Sequence, residues 1–303
     1  MVEPRSHFWR AAAIASVILG VLISVEVERI AAAPPQGQGQ GTGQGGGGQS
    51  RAGWEDYFDA IDSTSWMVED WRSPDRKFGA PGYIENTHLG VYQADHVAIV
   101  ESNGNRYLRL LLTQEVGPVD DNPNGVVSRG ALLYRQETYG YGTYEWRMRM
   151  SSTAVSPTEA GVPISGTVSA GFIFVNNSET EIDFEFSSHA VATPFPETLY
   201  MVNWNNQDPS TGPTDPQSTF TVTTVPGINT EFKTYRFEWN KDGITFSVDG
   251  IPQVIHRTDI PQAPAHLMIN HWGTNRPDGF GGAATIGVER YLYVDWVKYT
   301  PER

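Results

Sequence analysis

The chain of 303 residues carries 35 acidic and 21 basic side chains, a net charge of -14. That balance excludes a nucleic-acid partner, because phosphate binding needs clustered Lys and Arg, and no basic stripe follows the leader. The absence of Cys excludes a disulfide scaffold, a thiolate zinc site and a cysteine nucleophile, and a chain of this length buries a core without such staples. Aromatics reach 12% against only 18% charged residues, a composition suited to stacking on an uncharged ligand such as a sugar.

Residues 1–33 read as a leader. Arg5 and Arg10 precede an apolar run over 11–25, as in a secretory signal, and the small residues Ala31, Ala32 and Ala33 offer a cleavage site. Fifteen residues at about 1.5 Å rise make roughly 22 Å, short of the roughly 30 Å of a bilayer core. An uncleaved anchor is the alternative, and either leads to a secreted or envelope location. Residues 34–52 form a Gly/Gln-rich linker with nothing to bury, fit to tether a domain to a membrane.

Residues 53–303 carry β signals throughout and make one domain. Thr143 to Met150 alternates polar and apolar residues, the period of a half-buried strand. Tyr235, Phe237 and Trp239 alternate with Arg236 and Glu238, and Asp242-Gly243 and Asp249-Gly250 are hairpin turn signals. Further strands are expected over 107–113, 170–175, 199–204, 267–272 and 291–299, and no helical period persists. About a dozen short strands imply an all-β antiparallel sandwich of the jelly-roll, concanavalin A-like kind.

Glu181-Ile182-Asp183-Phe184-Glu185-Phe186 is the most informative segment. On a strand its three acids share one face while Ile182, Phe184 and Phe186 enter the core. Neighbouring carboxylates start about 6.6 Å apart, so joint ionisation is disfavoured and at least one pKa rises. A solvated edge strand and a calcium site are the rival readings, the latter weakened because calcium ligands come mostly from loops. The chemical reading is glycoside hydrolysis by two carboxylates, Glu181 and Glu185, with Asp183 between them as electrostatic tuner.

This strand resembles the active-site strand of glycoside hydrolase family 16, in the form without an inserted residue found in lichenases and xyloglucan-active enzymes. Tyr139-Gly140-Tyr141-Gly142-Thr143-Tyr144-Glu145, Thr234 to Trp239 with Val248-Asp249-Gly250, Met268 to Trp272 and Val294 to Tyr299 are similar to other family segments, in the same order. The resemblance implies Glu181 as nucleophile, Asp183 as assistant and Glu185 as acid/base. It implies Asn270 and Trp272 as sugar-binding residues, with Asn203, Tyr141 and Arg135 as further candidates; where the chain departs from the family pattern, Trp204 and His271 are candidates for other contacts. It also implies a structural calcium at Asp295 and no cofactor for catalysis. Two departures bear on the glucan preference: Glu179-Thr180 stands where lichenases place a Trp before the strand, and Leu133 stands where they place a Glu. The expected activity is that of a monomeric, retaining endo-β-1,3-1,4-glucanase. Xyloglucan, β-1,3-glucan or galactan are alternative polymers, transglycosylation an alternative outcome, and a non-catalytic carbohydrate-binding protein the alternative class.

Overall fold

The computed structural model describes residues 52–70, 81–189, 197–210 and 217–302. The leader 1–33 and all of the linker except Ala52 lie outside the described residues, so the readings of export signal, anchor and tether lie there too. Among the described residues no helix is long and apolar enough to cross a membrane.

The chain folds as two layers of antiparallel strands. In the first, the order is β11 (Ser218–Thr224), β10 (Thr198–Trp204), β9 (Thr180–Ser187), β8 (Thr167–Val175), β15 (Ala265–Gly273) and β6 (Asn122–Tyr139). The second runs β5 (Asn105–Val119), β16 (Arg290–Pro301), β7 (Gly142–Ser152), β12 (Lys233–Asn240), β13 (Gly243–Val248) and β14 (Ile251–His256). β5 and β6 are long enough to serve both layers: Thr113 to Val119 pair with Asn122 to Arg129, while their other halves pair within separate layers. Three short strands extend the edges: β1 (Trp54–Asp56) on β16, β2 (Trp66–Val68) on β6 and β4 (Val97–Ser102) on β5. β3 (His88–Tyr92) pairs with β6 in parallel. The strands expected from sequence all form, most of them longer at one or both ends. Asp249 and Gly250 close the β13–β14 hairpin with φ of 50° and 75°, the two positive values that a type I′ turn requires.

Ile182, Phe184 and Phe186 are fully buried between the layers. The Phe184 ring lies 5.5 Å from Tyr235 on β12 and 5.3 Å, edge-on, from Phe246 on β13. A second apolar cluster covers the outer face of the first layer: Tyr92, Leu132, Val168, Ala170, Phe172, Phe174, Met268 and Trp272. Strand β9 thus has the sandwich core beneath it and a second surface above. Burying the Phe184 side chain on its inner face contributes about 1.5–3 kcal/mol, which fixes the register that turns the acids outward.

Candidate active site

Strand pairing lays out the outer face as rows. One row runs His266, Phe174, Glu181, Trp204, Ser218; the next runs Tyr134, Met268, Phe172, Asp183, Val202, Phe220; a third runs Leu132, Asn270, Ala170, Glu185, Tyr200, Val222. Trp272 lies one row beyond Glu185, paired with Val168. Asn270 is two strands from Glu185, about 9.6 Å across the sheet. The structure therefore brings Asn270, Trp272 and Trp204 onto the face that carries the triplet. Trp204 directly neighbours Glu181, so an aromatic ring reaches the strand's upstream end from β10, although none precedes β9 in sequence.

Glu181, Asp183 and Glu185 are only 5%, 3% and 5% exposed. Their immediate cross-strand neighbours are the uncharged Phe174, Phe172 and Ala170 on one side and Trp204, Val202 and Tyr200 on the other. Burial raises the Glu181 carboxyl to about 8, against an opposing hydrogen bond from Ser178. Burial, then the charge of Glu181, raises Glu185 to about 8. Asp183 is raised well above the carboxylate range by burial, then by Glu181 and Glu185 on either side. Burial and mutual repulsion both oppose charge here, so at neutral pH the three cannot all be ionised and the strand face holds protons that a solvated carboxyl would have released.

Ser178 is fully buried in the β8–β9 turn and donates its hydroxyl to Glu181 Oε2. Tyr200, beside Glu185, has its hydroxyl pKa pushed up to about 12, first by burial and then by that carboxylate. The Tyr92 phenol, buried over the third row, faces Asn270 and feels both Glu69 and Glu185.

Besides Ser178, Tyr200 and Tyr92, further contributors to this face escaped sequence reasoning. Glu69 follows β2, its N–H bonded to the Leu132 carbonyl at 3.0 Å. Its carboxylate hydrogen-bonds Tyr134, whose pKa is raised to about 12, mainly by burial. Phe280 stands 5.1 Å from Tyr200 and 6.3 Å from Trp272 on the loop between β15 and β16. Its neighbour Gly281 has φ of 80°, and a Cβ there meets Thr274 Oγ1 at 2.4 Å, so glycine is required where the loop folds back. The signal for Phe280 was present as an aromatic set among the turn residues Pro277, Asp278, Gly279 and Gly281. Phe220, on edge strand β11, is 57% exposed on the same face.

Four expected contacts are held elsewhere. Asn203 pairs with Ile182 and so points inward. There its amide donates to the Thr258 and Asp259 carbonyls at 3.1 and 2.7 Å, and its Oδ1 lies 2.7 Å from His256 Nδ1. His271 is likewise inward, bonded to Leu110 O and Ser151 Oγ, and burial lowers its pKa to about 3. Arg135 stacks on Trp54 at 4.3 Å and on Trp66 at 5.4 Å, pinning β1 and β2 to the sandwich. Tyr141 sits in the β6–β7 turn against Trp239 of the second layer, 4.9 Å between rings.

At Asp295 one of the carboxylate oxygens that a calcium ion would use is already engaged. Calcium takes six to eight oxygen ligands, but Asp295 Oδ2 already accepts from Arg147 Nε at 2.9 Å. In the adjoining recess Arg106 Nη1 takes the Asp59 carbonyl at 3.0 Å. Among the described residues no three His, Asp or Glu converge on one point. Guanidinium groups thus hold one oxygen of Asp295 and one carbonyl of the recess. The thermal midpoint is therefore expected to move by less than about 1 °C between excess chelator and millimolar calcium, read by calorimetry, because a bound ion stabilises the native state by mass action.

The fold has counterparts among known proteins. A Beta-glucanase of Acetivibrio thermocellus is 27% identical over 249 residues, 80% of this chain and 61% of that protein. The chain spans about three fifths of the length of such relatives. The Bacillus licheniformis beta-glucanase structure superimposes with a TM-score of 0.61 at 22% identity, over 84% of this chain and 100% of that one. The catalytic domain of an endo-1,3-beta-glucanase (laminarinase) from Thermotoga petrophila does so with 0.59 at 19% identity, over 82% and 97%. With residues 86–298 matching the model of Glycosyl hydrolases family 16, well over half its length, the chain belongs to that family.

Proposed function

We propose that the protein is an endo-acting β-glucan hydrolase working by double displacement, with mixed-linkage β-1,3-1,4-glucan as first substrate. The observation that carries this is the triplet Glu181, Asp183 and Glu185 on one buried outer face, with pKa values raised together. In the first step Glu181 attacks the anomeric carbon, forming a glycosyl ester, while Glu185 gives its proton to the departing glycosidic oxygen. In the second, Glu185 takes a proton from water, the water oxygen attacks the same carbon, and Glu181 leaves as carboxylate. Asp183, between them, shares protons with both and keeps them in opposite states. Trp204, Trp272 and Phe280 offer rings against the apolar faces of sugar units, and Asn270 and Glu69 offer polar contacts.

Beta-glucanase relatives and the aromatic ring supplied by Trp204 favour the mixed-linkage polymer; the laminarinase neighbour keeps β-1,3-glucan as the second choice. The apolar run at 11–25 and the linker suit an exported or envelope-tethered monomer meeting a polymer outside the cell. The test is reducing-end release by the purified protein on barley mixed-linkage glucan, laminarin, xyloglucan and agarose. Highest activity on the first is expected. Trp204→Ala is expected to raise KM about tenfold, the loss of about 1.4 kcal/mol of stacking. Release from agarose alone overturns the glucan assignment, and release from none overturns the hydrolase.

A further inference from the structure

The turn that precedes the triplet is unusual in its backbone. Asn176, Asn177 and Ser178 all lie in the left-handed region, with φ of 44°, 58° and 64°, and none is glycine. Such residues are uncommon singly, and Asn tolerates the region better than Ser does. A β8–β9 hairpin does not need three of them in succession, since two-residue turns close hairpins without this cost.

The surroundings hold the strained turn in place. The Asn206 backbone N–H donates to the Ser178 carbonyl at 2.8 Å, and the Asn206 side-chain amide donates to the Asn177 carbonyl at 2.9 Å. Asn177 Nδ2 reaches the Pro209 carbonyl at 3.1 Å, and Asn176 Nδ2 reaches Glu179 Oε2 at 2.9 Å. Asn206 is itself fully buried. What this clamp delivers is one hydroxyl: Ser178, fully buried, donating to Glu181 Oε2.

We infer that Ser178 is a positioning residue for Glu181, held in a strained left-handed turn so that its hydroxyl fixes the carboxylate's rotamer and favours its ionised form. The inference rests on the proposed role of Glu181 as nucleophile and supplies what the triplet lacks, a difference between its two outer acids. A hydroxyl donor opposes the rise at Glu181, whereas at Glu185 burial and the charge of Glu181 both raise it. The groups facing Glu181 add nothing that mimics this. β9 itself presents Asp183 and Glu185, both acidic; β10 presents Trp204 with Tyr200 two rows on; β8 presents Phe174, with His266 of β15 beyond it. Backbone strain retained at a site where a simpler turn serves the fold marks function.

Ser178→Gly and Ser178→Ala separate the two roles, because both remove the hydroxyl but only glycine relieves the strain. In the full-length protein, Ser178→Gly is expected to raise the thermal midpoint by a few degrees and lower kcat about tenfold to a hundredfold, with KM within twofold. The acid limb of its kcat/KM profile is expected to move up by about one pH unit. A carbon-13 NMR titration of the Glu181 carboxyl, assigned by its loss in Glu181→Gln, reads the same upward shift without any turnover, so it holds whether or not the glucanase reading survives. A raised midpoint with kcat, acid limb and titration all unchanged overturns the inference. So does a fall in kcat without movement of the Glu181 titration, which makes Ser178 a packing residue only.

Discussion

Glu181→Gln is expected to lower kcat on the preferred glucan by about 10⁴-fold or more, while Glu185→Gln lowers it by about 10²- to 10⁴-fold. The two losses differ in kind. An amide at position 181 cannot form the glycosyl ester, so every substrate suffers. An amide at 185 cannot protonate the departing oxygen, which matters only when that oxygen leaves poorly. An aryl glycoside with an acidic phenol therefore forms the glycosyl-enzyme rapidly in Glu185→Gln, seen as a burst of phenol, and gives none in Glu181→Gln. Both side chains are near-isosteric with glutamate and sit where burial already opposes charge, so circular dichroism is expected to be unchanged. A burst in Glu181→Gln and none in Glu185→Gln reverses the two roles while keeping the mechanism.

The site was legible in sequence where the two faces of a strand differ in chemistry. On β9 acids alternate with Ile182, Phe184 and Phe186, so parity alone states which side chains leave the core. The same reasoning fails on β10, β15 and β6. β15 and β6 lie between the sandwich core and the second apolar cluster, and β10 sets Leu199 and Met201 inward against Tyr200, Val202 and Trp204 outward, so both faces are apolar and period two carries no information. Periodicity therefore had no means to check Asn203, Arg135 and His271, which came from matching positions rather than from a face. Each is a polar residue on a strand whose neighbours give no hint of side, and each turned out to fasten the core rather than face a ligand. Tyr141 fails differently, since a turn residue has no parity to read. Glu69, Phe280 and Ser178 come from segments whose place depends on folding back over β6, β15 and β9, a distance no local pattern encodes. The calcium reading at Asp295 rested on one carboxylate near the last strand; its Arg147 partner, far away in sequence, was not visible to that reading.

Asp183→Asn is expected to make the protein more stable and much less active. Asp183 is the middle acid, 3% exposed, with Phe172 and Val202 as cross-strand neighbours. Burial first, then the flanking Glu181 and Glu185, raise its native pKa well above that of an unfolded chain. A raised native pKa means that the folded state keeps a proton which the unfolded chain releases near pH 4. The group's favourable contribution is therefore complete below about pH 4 and is lost progressively as pH rises toward the elevated native value. Asparagine keeps the shape of the protonated acid and does not titrate, so it escapes that loss. The gain over wild type is expected to be near zero at pH 4 and to grow steadily as pH rises to 8, read as a widening difference in thermal midpoint. Meanwhile kcat is expected to fall about 10²-fold or more, because an amide cannot pass a proton between its neighbours. Calorimetry at the two pH values, paired with kinetics, reads both effects. A midpoint that falls at pH 8 instead assigns Asp183 a structural hydrogen bond that asparagine breaks, and removes the electrostatic account of the triplet. The strand would then carry its three acids at no cost to folding, and the case for them as proton-sharing partners would rest on kinetics alone.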